Sequence, residues 1–136
     1  MDNVIHSKLE RLKEEIKYLC DRKELFLETL GTSTETRKIV ERSVYLCTEI
    51  ALDIGELIIV KRQYPRPSTY SDIIYKLGDY GIIPRAFAQK LVYVAGLRNF
   101  LAHDYRKSTH PELERFLRYG IADMSTFVTH VEESLR

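Results

Sequence analysis

The chain has 136 residues, 44% of them hydrophobic and 30% charged, and its formal net charge is only +1. These values predict a single soluble domain, residues 1–136, and exclude a protein that coats RNA with a broad basic surface. No apolar run is long enough to span a membrane, and the N-terminus lacks the apolar segment of a secretory signal. Cys20 and Cys47 are predicted to be reduced core thiols of a cytoplasmic protein.

Apolar residues recur at three- and four-residue steps through most of the chain, which predicts helices. The first helix is predicted to end at Gly31, since glycine is favoured just past a helix end. The second begins at a cap formed by Ser33 or Thr34. It fades in the loop 63–67, where two prolines prevent its continuation.

The middle of the chain predicts one short and one long helix. The short helix has Ser71 as its cap and covers about residues 72–80. The long helix takes Pro84 as its first residue, because a proline there sacrifices no hydrogen bond. It is predicted to continue to about Lys107.

The last helix begins at Thr109 or His110, where Pro111, Glu112 and Glu114 form a strong start signal. No alternating strand pattern is present in the sequence. The predicted fold class is therefore all-α: an antiparallel four-helix bundle with one short extra helix.

The most distinctive local sequence is RNFLAHDY at residues 98–105, which has the form R-x4-H-x-Y. Histidine exchanges protons near neutral pH, and guanidinium binds phosphate through paired donors. Arg98 and His103 together are therefore suited to cleaving RNA without a metal. An arginine and a histidine at this spacing are also found on ordinary solvated helix faces, so the motif by itself leaves both interpretations open.

With this motif the chain resembles HEPN-domain proteins, and more closely the HepT toxins of toxin–antitoxin pairs. Softer matches at 41–55, 70–77 and 81–84 follow the same order along the chain. The resemblance implies a homodimer with the motif at its interface. It also implies the toxin of a type VII-like pair: a metal-independent endoribonuclease that cuts tRNA or mRNA, uses no cofactor and does not cut DNA.

The resemblance further implies a partner, a nucleotidyltransferase antitoxin that attaches AMP to the tyrosine of H-x-Y, here Tyr105. The added charge and bulk compete with RNA phosphate for the nearby cations. An ordinary amphipathic tyrosine near a helix end is the alternative for Tyr105. For the whole chain, the alternatives are a non-catalytic HEPN module that binds nucleotide or partners a nucleotidyltransferase, and a purely structural bundle subunit.

Within the motif, Arg98 is predicted to bind the phosphate and stabilise its transition-state charge, and His103 to act as general base or acid. Asn99 lies one turn before His103 and is predicted to orient it. On a continuing helix, Arg98 and His103 share one flank without stacking. A second copy in a two-fold dimer would then complete the cleft.

Three acids at helical spacing in the second helix, Glu49, Asp53 and Glu56, are predicted to form a solvated acidic face rather than a metal or paired-acid site. Asp53 is the exception, because apolar neighbours crowd it and a partly buried carboxylate needs a cation. Arg98 is its predicted partner.

The final candidates are basic residues that could contact RNA. They are Lys61, Arg62, Arg66 and Arg106. The first three are interleaved with Tyr64 and Tyr70, a combination that grips single-stranded RNA through charge and stacking. Cations at a helix C-terminus also stabilise the helix itself, so this region has two equal interpretations.

Overall fold

A computed structural model of the chain describes residues 2–103 and 108–136. Its helices are α1 (Asp2–Thr29), α2 (Thr34–Lys61), α3 (Tyr70–Asp79), α4 (Arg85–Leu91), α5 (Tyr93–Ala102), α6 (His110–Arg115) and α7 (Ile121–Ser134). A π-helical turn, Phe116–Gly120, joins the last two. The predicted antiparallel bundle consists of four helical segments: α1, α2, α4 with α5, and α6 with α7. Helix α3 is the extra helix. In the described part of the chain, no helix is both long and apolar enough to cross a membrane.

The central helix of the bundle is α2, which packs against α1 and α5 and is covered at one end by α3. It begins as predicted, because the Ser33 side chain accepts a hydrogen bond from the Thr36 backbone N–H at 3.1 Å. It ends at Lys61, four residues before Pro65, and Gln63 then adopts a left-handed conformation with φ of 58°. The Tyr64 N–H then reaches back to the carbonyl of Ile59 at 3.0 Å, which closes the helix end.

The short helix α3 lies close to its neighbours, because there is a glycine at its contact with α2 and another at its contact with α4. A Cβ added to Gly55 of α2 would come within 2.7 Å of the Ile73 side chain. A Cβ added to Gly78 of α3 would come equally close to Ala88 of α4, at 2.7 Å. Close packing of this kind holds the N-terminal residue of α3, Tyr70, in a defined place at the end of the bundle.

Several predicted helix boundaries are wrong by a few residues. The cap of α3 is Thr69, whose side chain accepts from the Asp72 N–H at 3.0 Å, and not Ser71. Pro84 is the residue before α4 rather than its first residue. The predicted long fourth helix is divided at Val92 and ends at Ala102 instead of continuing to Lys107.

A buried carboxylate connects α4 and α5 to α7. The Asp123 side chain is 8% exposed, and its Oδ2 accepts a hydrogen bond from the Tyr93 hydroxyl at 2.7 Å. Its Oδ1 lies 3.3 Å from the Lys90 ammonium, which is largely exposed. Burial, reinforced by the hydrogen bond to Asp123, raises the pKa of Tyr93 well above its ordinary range.

The two cysteines have different environments, and the prediction that both are core thiols is wrong for Cys20. Cys47 lies in the core of the bundle, where burial raises the pKa of its thiol. Cys20 is exposed on α1. Its position on the helix puts it at the edge of the apolar stripe rather than within it.

Candidate active site

The Arg98 side chain is held against the bundle by a carboxylate from α2. Its Nε donates a hydrogen bond to Oε2 of Glu49 at 3.1 Å, and the two side chains are only 20% and 24% exposed. A second bond runs from Nη1 of Arg98 to Oδ1 of its neighbour Asn99 at 3.3 Å. Burial acts to lower the pKa of Arg98, but the charge and hydrogen bond of Glu49, together with Tyr70 and Tyr45, outweigh it and the pKa is raised. The guanidinium is therefore always charged.

Two tyrosine rings complete the surroundings of this guanidinium. The carbon at its centre lies 4.6 Å from the ring centroid of Tyr70 on α3 and 5.9 Å from that of Tyr45 on α2. Both distances are within the range of cation–π attraction. The Tyr45 hydroxyl also donates to Oε2 of Glu49 at 2.5 Å, and this hydrogen bond is the main reason why the pKa of Tyr45 is raised. Arg98 is thus contacted by side chains from two other helices.

The prediction that Arg98 pairs with Asp53 is wrong. Asp53 lies one turn further along α2, is 43% exposed, and contacts the Lys8 ammonium of α1 at 3.4 Å. Glu49, predicted to belong to a solvated acidic face, is the residue that meets Arg98. One sequence signal for Glu49 exists: Tyr45, Glu49 and Asp53 recur every four residues and so share one face of α2.

The second motif residue, His103, lies just beyond the end of α5. Its backbone is extended, with φ of −101° and ψ of 153°, and the residue is exposed. The helical projection that related His103 to Arg98 therefore does not apply. Asn99 and Ala102 are exposed on the last turns of α5. Tyr105 and Arg106, predicted to be the AMPylation site and an RNA contact, lie outside the described residues.

The basic residues at and after the end of α2 have different surroundings. The Arg62 guanidinium donates to the backbone carbonyl of Ser134 at 2.7 Å, near the end of α7. Arg66 lines an open groove of about 280 Å³. The ring of Tyr64 stacks on that of Tyr80, with centroids 4.0 Å apart. Lys61 is exposed.

Tyr64 lines the same groove as Arg66, whereas Tyr70 faces Arg98 instead. The contribution of Lys61, Arg62 and Arg66 to RNA binding stays a prediction. So does the absence of a metal, although the described residues contain no group of three or more His, Cys, Asp or Glu side chains that could hold one.

Solved structures have the same fold. The tri-AMPylated HEPN toxin of Shewanella oneidensis, in complex with an MNT antitoxin, matches with a TM-score of 0.81 at 20% identity, covering 98% of this chain and 99% of that one. YutE, a cytosolic protein of unknown function from Bacillus subtilis, matches with a TM-score of 0.74 at 19% identity, covering 93% and 89%. At these identities the likeness demonstrates the shared helical architecture alone.

Sequence comparison extends the likeness. A tRNA nuclease HepT from Aphanizomenon flos-aquae (strain 2012/KM1/D3) is 29% identical over 132 residues, which cover 97% of this chain and 90% of that protein. The HepT-like family, described as ribonuclease HepT-like, matches residues 5–131. That match includes the bundle, the Glu49–Arg98 pair and the whole R-x4-H-x-Y motif. The chain therefore belongs to the HepT-like family.

Proposed function

We propose that this protein is the toxin of a type VII-like toxin–antitoxin pair, a metal-independent endoribonuclease that cuts tRNA or mRNA. The observation that carries the proposal is the complete R-x4-H-x-Y motif of the sequence, in which Arg98 is held on α5 as a permanent, partly exposed cation five residues before His103. Its relative in Aphanizomenon flos-aquae is a tRNA nuclease, which supports the same reaction class. Residues 1–136 act as one domain in this proposal.

The proposed reaction is attack of an RNA 2′-hydroxyl on the adjacent phosphorus. A bond forms between the 2′-oxygen and phosphorus, and the bond from phosphorus to the 5′-oxygen breaks. The products are a 2′,3′-cyclic phosphate and a 5′-hydroxyl. His103 takes the proton from the 2′-hydroxyl or supplies one to the leaving oxygen, which contributes about 10²- to 10⁴-fold in rate. DNA is inert because it has no 2′-hydroxyl.

Arg98 binds the phosphate and stabilises the negative charge that grows on it in the transition state. A guanidinium suits this task because its donors match two phosphate oxygens and because it never loses its charge. Asn99 contacts Arg98 and is exposed on the same turn, which leaves it accessible to RNA as well. Asp53, without its predicted link to Arg98, is assigned no step.

The active form in this proposal is a homodimer. A two-fold axis near the end of α5 brings the motif of one subunit opposite that of the other, so that a single cleft receives residues from both. The exposed Ala102 supports this placement, because a small side chain lets two helices approach closely.

Neutralisation is proposed to occur through AMPylation of Tyr105 by a cognate MNT-type nucleotidyltransferase. The Shewanella oneidensis HEPN toxin, which shares this fold, is tri-AMPylated and bound to an MNT antitoxin. The AMP group adds a negatively charged phosphate two residues after His103 in the sequence. RNA phosphate and the modified tyrosine then compete for one cation.

The test is an assay of purified, unmodified protein on tRNA and mRNA in excess EDTA. Cleavage is expected to leave cyclic phosphate ends and to vanish in Arg98→Ala and His103→Ala. Arg37→Ala and His6→Ala are matched controls, since both residues are exposed on other helices, and they should cut normally. Absence of cleavage by protein whose intact mass carries no AMP would overturn the proposal in favour of a non-catalytic module.

A second assay tests neutralisation. The cognate nucleotidyltransferase and ATP are expected to add AMP to the wild-type chain and to abolish its cleavage of RNA. Tyr105→Phe should escape both effects, while Tyr119→Phe, at a residue 66% exposed on the π-helical turn, should behave as wild type. Modification of Tyr105→Phe to the same extent as wild type would exclude Tyr105 as the acceptor.

A further inference from the structure

The surroundings of Arg98 leave it one way to meet a phosphate. Its Nε is bonded to Glu49, and one face of its guanidinium lies over the Tyr70 ring. A bidentate contact to phosphate therefore falls on the edge formed by Nη1 and Nη2. Nη1 also donates to Asn99, but that hydrogen bond is exposed and measures 3.3 Å, so a charged phosphate oxygen can replace it.

Glu49 is itself held in place. Its Oε2 accepts from both the Tyr45 hydroxyl and the Arg98 Nε, at 2.5 and 3.1 Å. Tyr45 lies one turn before Glu49 on α2, so the carboxylate is gripped between its own helix and α5. Two bonds to one oxygen restrict the rotamers of both charged side chains.

The charge of Glu49 makes this arrangement informative. A carboxylate beside a phosphate-binding arginine repels the phosphate and opposes RNA binding. If attraction for RNA were all that mattered at this site, a neutral residue at position 49 would serve better. Orientation of Arg98 explains why a repulsive carboxylate is placed here, since small misplacements of a catalytic group lower the rate by large factors.

We propose that Glu49 is a positioning residue: bonded to Arg98 Nε and supported by Tyr45, it aims the Nη1–Nη2 edge at the phosphate that is attacked. This inference rests on the proposed function, since it assigns Arg98 the transition-state role given above. It adds a residue outside the R-x4-H-x-Y motif to the machinery. Tyr70 supports the same orientation from the face of the guanidinium.

The experiment compares the kinetics of Glu49→Ala, Glu49→Gln and the control Glu56→Ala with those of the full-length wild-type protein on one RNA. Glu56 is an exposed acid on the same helix. In Glu49→Ala, kcat is expected to fall about 10- to 100-fold while KM stays equal or decreases, because orientation is lost and repulsion is relieved. Glu49→Gln keeps an acceptor for Nε and should recover most of kcat. Glu56→Ala should match wild type.

A binding readout tests whether Glu49 acts through Arg98. In a His103→Ala background, which is expected to bind RNA without cutting it, Glu49→Ala should change the affinity for fluorescent RNA by a different factor when Arg98 is present than when it is replaced by alanine, because loss of aim is added to relief of repulsion only in the first case. Equal effects with Arg98 and with Arg98→Ala would overturn the proposal, because Glu49 would then act on RNA or on folding by itself. Thermal unfolding of each variant verifies that the proteins compared are folded.

The outcomes separate this inference from the proposed function. A wild-type protein that cuts RNA and fails with Arg98→Ala, but keeps kcat within twofold in Glu49→Ala, overturns the positioning role and leaves the nuclease intact. A higher KM with unchanged kcat overturns it in the same way. A wild-type protein that never cuts RNA overturns the proposed function, and the positioning role with it.

Discussion

Helix α5 contributes one residue to each of two clusters, both made of a tyrosine, a carboxylate and a cation, and the two clusters differ in how far the cation is buried. Near its first residue, Tyr93 and Lys90 flank the buried Asp123, whose side chain is 8% exposed while that of Lys90 is 69% exposed. Towards its last residue, Tyr45 and Arg98 flank Glu49, and here the cation is 20% exposed and the carboxylate 24%.

The difference separates a cluster that stabilises the fold from one that presents a group. In the first cluster the carboxylate is buried and needs its partners, while the lysine remains in solvent. In the second cluster both charged side chains are held, and the position of the cation is defined by the carboxylate and by the Tyr70 ring. A protein that only needed stability would not have to order the cation so closely. The following predictions test this contrast, beginning with the largest expected effect.

Asp123→Ala should destabilise the fold most. It leaves the partly buried Tyr93 hydroxyl without its acceptor and removes a buried carboxylate, which is expected to lower the free energy of unfolding by about 2 kcal/mol. Asp123→Asn, which retains an acceptor oxygen, should lose roughly half as much. Urea unfolding measures both, and RNA cleavage by the folded fraction should stay within twofold of wild type. A selective loss of cleavage without loss of stability would contradict the structural role of this cluster.

The first cluster should also make stability depend on alkaline pH. The pKa of Tyr93 is raised in the folded protein, so the unfolded chain loses its phenolic proton first as the pH increases. The stabilisation is fully present below the ordinary tyrosine pKa and is progressively lost above about pH 10. The free energy of unfolding, measured between about pH 8 and pH 11, should decrease less steeply with pH for Tyr93→Phe than for wild type. Identical slopes would contradict it.

Removal of the ring beneath Arg98 should affect activity more than stability. Tyr70→Leu abolishes a cation–π contact of the kind worth about 1 kcal/mol, so kcat is expected to fall roughly fivefold. Tyr70→Phe retains the ring and should cut RNA as wild type does. Tyr75→Leu is the matched control, because that tyrosine is 44% exposed on the same helix. An equal loss in Tyr75→Leu would indicate a general effect on α3.

The smallest effect is expected from Lys90→Ala. The lysine is largely exposed, so solvent screens its attraction to Asp123 and the free energy of unfolding should change by less than about 0.5 kcal/mol. Thermal and urea unfolding should therefore nearly superimpose on those of wild type. A loss comparable to that of Asp123→Ala would mean that the cation is an essential member of the first cluster.

Local sequence predicted the helices and the motif well, because both depend on neighbours along the chain. Ser33 caps α2 as its residue type predicts, and the all-α bundle follows from apolar spacing. The end of α5 was less predictable. Its sequence contains no glycine or proline near Ala102, so nothing local stops the helix before Lys107.

The partner of Arg98 could not be identified from the sequence. Glu49 and Asp53 lie four residues apart on one face of α2, and either side chain could reach across to α5. The axial register in which α2 packs against α5 decides between them. Helix α3 contributes to that packing, because its Ile73 side chain lies against Gly55 of α2. Once α5 is in place, Glu49 meets Arg98 while Asp53 contacts Lys8.

The sequence by itself therefore determined the helical class, the order of the elements and the identity of Arg98 and His103 as the residues with suitable chemistry. Periodicity and side-chain chemistry are properties of the chain, so both can be recognised without the tertiary structure. Only the tertiary structure decided which carboxylate and which rings surround Arg98. Contacts between α2, α3 and α5 join residues far apart in the chain, and their register is set by packing in the core.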